Sequence, residues 1–220
     1  STGQPKGVQI THRALVNFLL TMQQAPGITQ RDVLLAVTTL AFDIAALELY
    51  LPLITGATVV IAPQEAVVDG QRLAELIDQY AVTMMQATPV TWRMLLASGW
   101  QGSPNLKLLC GGEAWSWPLA DALRTRGQAL WNLYGPTETT VWSARYAVEK
   151  TKPVEAKASH DALVPIGRPL ANTQFYIVDR ALQPVPIGVA VELLIGGDGQ
   201  ARGYHNQPPM TQEKFIPNPF

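Results

Sequence analysis

Charge is scarce in this chain and almost cancels: 15% of residues are charged, and the formal net charge is −1. That leaves no electrostatic footprint for nucleic acid or for an anionic membrane surface, so neither is an expected partner. Cysteine is scarcer still. Cys110 is the only one, so no internal disulfide can form, and a reducing, cytoplasmic setting is the expectation. No apolar run approaches the length of a membrane span, no segment reads as a signal peptide, and no internal repeat is visible. Apolar residues are plentiful instead. At 47% of 220 residues they argue against disorder and can fill one large domain or two small ones. The chain has no initiator Met, opens in a polar loop and stops at Asn218-Pro219-Phe220, so it is expected to be a piece of a longer protein.

Apolar runs alternate with amphipathic ones. Thr11-His12-Arg13 opens a helix expected to reach about Gln24, with Leu15, Phe18, Leu19 and Met22 on its apolar face and His12 in a structural role. A β-branched strand is expected at 33–37, then a helix capped by Asp43, running to about Leu53 and stopped by Gly56. Strands at 58–62, 82–85, 106–110 and 129–133 alternate with helices at 71–80, from Thr88-Pro89, and at 118–126. Such repetition implies a largely parallel sheet with helices on its faces. Residues 149–161 are charged and proline-bearing, as expected of a surface loop. Strands punctuated by Pro and Gly at 165–169, 174–179 and 189–195 then suggest an antiparallel or barrel-like region. The expected organisation is an α/β region over 1–148, carrying the site, followed by a linker and a smaller β-rich region over 149–220.

The most informative stretch is Asn132-Leu133-Tyr134-Gly135-Pro136-Thr137-Glu138-Thr139-Thr140. A buried strand ending in a Gly-Pro turn presents hydroxyls and a carboxylate at the C-terminal edge of a sheet, where open α/β folds place ligands. Tyr134 offers a flat face to an adenine-like ring. Thr137 can donate to a phosphate oxygen, and Glu138 can hold a hard cation such as Mg²⁺. Ser1-Thr2-Gly3-Gln4-Pro5-Lys6-Gly7 combines glycine-freed backbone N–H groups, hydroxyls and an ammonium, a set able to cradle a polyphosphate. Gly111-Gly112-Glu113 allows backbone to approach a purine closely. Cys110 reads as a buried thiol, not a nucleophile. Gly197-Asp198-Gly199 only superficially resembles a dinucleotide fingerprint, because it lacks the strand-turn-helix setting.

Tyr-Gly-Pro-Thr-Glu-Thr-Thr resembles the core motif of adenylate-forming enzymes, above all the adenylation domains of nonribosomal peptide synthetases. Three further stretches support the resemblance: the truncated phosphate loop ending at Lys6-Gly7, Gly111-Gly112-Glu113, and residues 192–215 with Ala201-Arg202-Gly203-Tyr204. Leu40 to Glu48 is similar to the family's Phe-Asp-x-Ser stretch, with Ala45 where Ser is usual, and Val191 replaces a usual glycine. The resemblance implies that a substrate carboxylate attacks the α-phosphate of Mg·ATP, and that the acyl group then passes to phosphopantetheine on a carrier protein. It assigns Tyr134, Asn132, Gly112, Glu113 and Gly135 to the adenine end. It assigns Thr137 and Glu138 to phosphate and Mg²⁺, and Ser1, Thr2, Gly3 and Lys6 to the leaving pyrophosphate. It makes carrier and condensation domains the expected partners. It also implies that this piece alone is inactive, since its phosphate loop is truncated and the mobile C-terminal lid with its lysine is missing; the ribose-binding Asp is absent from it as well. Pocket positions carried across are Asp43, Ile44, Leu47, Gln86, Leu109, Gly111, Leu133, Val141 and Trp142. Asp43 would receive an α-ammonium, and the bulk of the others resembles a glycine-activating pocket, with alanine the competitor. The alternatives are an acyl- or aryl-CoA ligase, whose substrate would leave Asp43 unpaired, and a non-catalytic adenylate-binding module.

Overall fold

The computed structural model describes residues 6–150 and 162–220. Strands β1 (Val33–Ala36), β2 (Thr58–Ile61), β3 (Met84–Ala87), β4 (Lys107–Gly111) and β5 (Ala129–Tyr134) pair in parallel. Strands β6 (Ala144–Val148) and β7 (Arg168–Pro169) extend the sheet antiparallel, giving the order β2-β1-β3-β4-β5-β6-β7. Parallel neighbours need crossovers, and helices supply them. These are α2 (Ala45–Thr55), the short α3 (Gln64–Val67) with α4 (Gly70–Gln79), α5 (Pro89–Ala97) and α6 (Trp117–Arg124). The opening helix, α1 (His12–Met22), is capped by Thr11, whose hydroxyl accepts from the Ala14 N–H.

Strand side chains alternate between faces with period two, so a fully covered sheet has two cores. Leu35, Met85, Leu108, Cys110 and Leu130 pack with α4, α5 and α6 through Leu73, Ile77, Trp92, Leu95 and Leu123. Leu34, Ala36, Met84, Leu109 and Leu133 pack on the other face with α1 and α2, through Phe18, Leu19, Met22, Leu47 and Leu51. A smaller antiparallel pair, β8 (Thr173–Val178) with β9 (Glu192–Gly197), and a last helix, α7 (Pro208–Lys214), follow. Of the two forms expected for this region, the antiparallel one is present among the described residues.

Several boundaries differ from expectation. Asp43 does not cap α2: the N–H groups of Ala45, Ala46 and Leu47 are satisfied by the carbonyls of Phe42, Asp43 and Ile44, so no side-chain cap is required. Gly56 does stop the helix, in the left-handed conformation at φ +72°. Asp69 caps α4 through the N–H groups of Gln71 and Arg72. Strand β3 starts later than expected and runs on to Ala87, which carries Gln86 to the sheet's C-terminal edge. Of 165–169 only Arg168–Pro169 is a strand, and it belongs to the large sheet. Most of the expected surface loop, 151–161, lies outside the described residues.

Candidate functional site

The chain passes from β1 to β2 on one side and then returns across β1 to β3 on the other, so the sheet order reverses between β1 and β3. A crevice at the C-terminal ends of strands beside such a reversal is the favoured ligand position in open α/β folds. Asp43 and Ile44 follow β1, Gln86 is the penultimate residue of β3, Gly111 ends β4 with Gly112 directly after it, and Tyr134 ends β5. Residues widely separated in sequence therefore meet along one edge.

Tyr134 is 37% exposed and lines two clefts. One, of about 440 Å³, is bordered by Gly112, Glu113, Asn132, Gly135, Trp142 and the segment 163–166. Gly112 has φ +90°, a conformation glycine adopts without strain. Asn132 is 5% exposed and heavily committed: Oδ1 accepts from Trp115 Nε1 at 2.8 Å, and Nδ2 donates to the carbonyls of Val164 and Pro165. It cross-links the wall of this cleft, and one lone pair on Oδ1 remains for a ligand. At Gly135 a Cβ would meet Ser143 N and Trp142 Cα at 2.6 Å, so only glycine lets these two stretches of backbone touch. Thr140 and Val141 follow in the left-handed region at φ +63° and +65°. For a β-branched residue such as Val141 that is strained backbone, of a kind that gathers at functional sites. The Thr140 hydroxyl, donating to the Gly199 carbonyl at 2.7 Å, helps hold it.

The second cleft, about 410 Å³, holds Lys6, Glu138, Tyr204 and Lys214 around Tyr134. It is assembled by a backbone ladder that joins the two ends of the chain. The Gln9 N–H donates to the Gly203 carbonyl, Arg202 N–H to Gln9, and His205 N–H to Gly7. Lys6 thereby sits 5.7 Å from the centre of the Tyr204 ring, close enough for a cation–π contact. The Tyr204 hydroxyl donates to Glu138 Oε1 at 2.6 Å. Thr137 is exposed in a single 3₁₀ turn, Thr137–Thr139. Ser1, Thr2 and Gly3 lie outside the described residues. No group of three or more His, Cys, Asp or Glu could hold a metal among the described residues. Glu138 alone therefore does not make a resident metal cage. It suits Mg²⁺, which keeps several waters and takes one or two carboxylates plus a substrate's phosphates.

The third set lies on the α1/α2 face. Leu47, Leu109, Leu133, Val141 and Trp142 belong to one buried cluster, with Ile44 packed against it. Gln86 is 1% exposed and central: its Nε2 donates to the Ile44 carbonyl at 3.2 Å and to Glu48 Oε1 at 3.3 Å, while its Oε1 accepts from Trp142 Nε1 at 2.7 Å. The Trp142 ring lies over Gly111, where a Cβ would meet Cη2 and the Leu133 carbonyl, each at 2.7 Å. The smallest position in the set is therefore filled from across the sheet. Asp43 is half-buried and its carboxylate has no hydrogen bond or ion pair among the described residues. Burial pushes the Glu48 carboxyl up, opposed by hydrogen bonds from Thr38, Gln86 and Val37. Burial also raises the thiol of Cys110, as expected of a core residue.

Sequence reasoning gave no role to Glu48, Tyr204 or Trp115. Glu48 carried a signal: it sits four residues after Ile44 and three before Leu51, on the buried face of an apolar helix, where a carboxylate needs a reason. Tyr204 stands in one of the motif stretches, but neither its contact with Glu138 nor that of Trp115 with Asn132 left a local pattern, since those partners lie 66 and 17 residues away.

The AMP-binding enzyme family profile matches residues 1–205. The chain is 48% identical over 220 residues to a dimodular nonribosomal peptide synthase of Bacillus subtilis (strain 168), covering 100% of this chain and 9% of that protein. It is 47% identical over 221 residues to the PKS-NRPS hybrid synthetase ATPKS of Aspergillus niger, covering 100% of this chain and 11% of the other. It thus spans a small part of the length of the curated relatives it matches. Among solved structures it is similar to a holo four-domain nonribosomal peptide synthetase bound to AMP and glycine. There the TM-score is 0.90 at 44% identity, over 99% of this chain and 16% of that one. It is also similar to the N-terminal subdomain of NpsA from Klebsiella oxytoca in complex with 3-hydroxybenzoyl-AMSN. That match has a TM-score of 0.86 at 30% identity, over 100% of this chain and 55% of the other.

Proposed function

The chain belongs to the AMP-binding enzyme family, and from that premise we propose that its parent protein activates glycine with ATP for nonribosomal peptide synthesis. The glycine carboxylate attacks the α-phosphate of ATP, the bond from that phosphorus to the bridging oxygen breaks, and pyrophosphate leaves. The phosphopantetheine thiol of a carrier domain then attacks the carbonyl of the aminoacyl-adenylate. The bond from that carbon to the phosphate oxygen breaks, AMP leaves and the thiol proton passes to solvent. The thioester moves on to a condensation domain.

The observation that carries the reading is the position of Tyr134, whose ring borders both a cleft walled by Gly112 and Glu113 and a cleft holding Lys6 and Glu138. A purine against that ring, with its phosphates toward Lys6 and Glu138, uses both clefts at once. Catalysis is then mainly positioning and charge neutralisation at phosphorus. Thr137 donates to a phosphate oxygen, and the Lys6 ammonium balances charge on the departing pyrophosphate, with Ser1, Thr2 and Gly3 in the same role. Glu138 is the residue that would hold Mg²⁺. The ion supplies Lewis-acid neutralisation of phosphate charge.

Two features support a small amino acid. Among the described residues the carboxylate of Asp43 has no hydrogen bond or ion pair, so an α-ammonium would satisfy it, whereas an aryl or acyl substrate would not. Trp142 fills the space above Gly111, and Leu47, Leu109, Leu133 and Val141 close the rest. The glycine held by the similar four-domain synthetase agrees with that shape. One extra methyl is rejected by about ten- to two-hundred-fold in such a site, so alanine is the measurable competitor. The test is amino-acid-dependent ATP–pyrophosphate exchange by the parent with a panel of amino acids. Glycine is expected to lead. A preference for a large or charged side chain overturns the pocket, and exchange driven only by aryl acids overturns the amino-acid reading.

A further inference from the structure

We propose that Glu48 is a positioning residue for amino-acid selection, holding both the turn that carries Asp43 and the Gln86–Trp142 pair that closes the pocket. The inference rests on the amino-acid reading of that pocket. Glu48 is fully buried in α2. Its Oε2 accepts from the N–H groups of Val37 and Thr38 at 3.0 and 2.9 Å, at the start of the loop leading to Asp43. Its Oε1 accepts from the Thr38 hydroxyl at 2.7 Å and from Gln86 Nε2. Gln86 Nε2 also donates to the Ile44 carbonyl, at the end of the same loop. The chain from 37 to 44 is thus tied at both ends to a single carboxylate–amide pair.

The polarity of the pair is set from both sides. Trp142 Nε1 can only donate, so the Gln86 oxygen must face it. The Gln86 amide nitrogen then faces Glu48, which must accept there. Two backbone N–H groups occupy the other Glu48 oxygen, and they too can only donate. The two backbone N–H groups and the Gln86 amide therefore demand acceptors at position 48, the Thr38 hydroxyl donates to one of them, and a carboxylate satisfies all four contacts. Glutamine, although nearly the same shape, cannot. With its nitrogen toward Val37 and Thr38 it opposes two backbone donors. With its nitrogen toward Gln86 it forces that amide to flip, and the flipped nitrogen then opposes the Trp142 N–H. Either way the defect is delivered to the Asp43 turn or to the indole over Gly111, and an unmade buried hydrogen bond is expensive.

The experiment compares wild-type parent with Glu48→Gln in pyrophosphate exchange, measuring KM and kcat for glycine and for alanine, and KM for ATP. The glycine-over-alanine ratio of kcat/KM does not depend on the fraction of enzyme folded, so it separates positioning from stability. It is expected to fall by about tenfold, with KM for glycine rising while KM for ATP stays unchanged. The exchanged pair Glu48→Gln with Gln86→Glu restores donor against acceptor at Trp142, at Val37 and Thr38, and between the two side chains, but sets a carboxylate oxygen against the Ile44 carbonyl that Gln86 Nε2 serves in the wild type. It should recover about two- to threefold of the lost ratio, the part carried by the indole and by residues 37–38. If Glu48→Gln does not fold, Glu48→Asp, which withdraws the carboxylate from Gln86, is measured by the same criterion. Equal loss of kcat for both substrates, with the ratio and the glycine KM unchanged, overturns the inference alone. A wild-type panel with no preference for glycine overturns the functional reading and this inference with it.

Discussion

The Tyr204 hydroxyl donates to Glu138 Oε1 at 2.6 Å, joining the turn after β5 to the segment after β9. Burial, then the hydrogen bond to Glu138 and its charge, push the Tyr204 phenol up to about 12, so it stays a donor across the working pH range. The bond occupies one oxygen of Glu138, and the other has no hydrogen-bond partner among the described residues. Tyr204 therefore orients the Glu138 carboxylate and, on the proposed metal role, leaves one oxygen of it for the ion.

Tyr204→Phe removes that donor but keeps the ring that packs edge-on against Phe215 at 5.6 Å. Groups that orient metal-binding carboxylates typically contribute about ten- to a hundred-fold in affinity or activity. The Mg²⁺ concentration needed for half-maximal exchange by the parent should rise by at least the lower of these factors. The sign of the pH effect follows from the raised phenol. Its contribution to stability is complete below the unfolded value of about 10 and is lost as pH rises through the folded value. Absorbance titration should show the variant lacking one late-ionising tyrosine.

Glu138→Gln tests the metal role directly. The shape and the bond from Tyr204 survive, but the charge is gone. Exchange activity of the parent should fall by roughly two orders of magnitude, the scale of one preorganised electrostatic contact. Near-normal rates at saturating Mg²⁺ would return Glu138 to a purely structural part in the Tyr204 bond.

The parallel sheet was legible because each strand is an apolar run and each crossover has a readable start or stop, such as Thr88-Pro89 or Gly56. Local chemistry sets those signals. The role proposed for Asp43 rests on motif resemblance, since its position before an apolar helix looked like a cap. The turn carbonyls of Phe42, Asp43 and Ile44 took that task, and the carboxylate has no hydrogen bond or ion pair among the described residues. The ladder between residues 7–9 and 202–205 was beyond reading, because pairing across nearly the whole chain leaves no local pattern. The same holds for the Trp142 indole that occupies the space above Gly111.

Gly111→Ala probes that indole. The added methyl would lie 2.7 Å from both Trp142 Cη2 and the Leu133 carbonyl, and the carbonyl belongs to the paired strand β5. Trp142 must yield, stretching its 2.7 Å bond to Gln86. Overpacking of this kind costs about 1–3 kcal/mol. The parent should lose stability by that amount, and its KM for glycine should rise more than its KM for ATP. Unchanged kinetics for both would show that Trp142 is not part of the amino-acid pocket.

At the opposite edge of the sheet, Asp32 is 9% exposed and ties β1, β3 and β4 together. Its Oδ2 accepts from the Thr29 N–H and hydroxyl at 2.7 and 2.9 Å. Its Oδ1 accepts from the Thr83 hydroxyl at 2.8 Å and pairs with Lys107 Nζ at 3.3 Å. Burial alone would raise this carboxyl, but the bonds from Thr83 and Thr29 and the Lys107 ammonium outweigh it and hold the group below its ordinary value. A depressed folded value means the contribution is present above the unfolded value of about 3.9 and is lost as pH falls through the folded one. Asp32→Ala leaves Lys107 and Thr83 without this acceptor and should cost about 3 kcal/mol at neutral pH, the scale of breaking a buried ion pair from one side. Amide hydrogen exchange of Val33, whose N–H donates to the Thr83 hydroxyl at 2.9 Å, reports on this edge locally. In the wild type, protection there should weaken as the medium is acidified below the unfolded carboxylate value. In the variant it should be weak at neutral pH and should lack that acid-dependent step. Equal protection in both proteins at neutral pH would show that the sheet edge does not depend on the carboxylate.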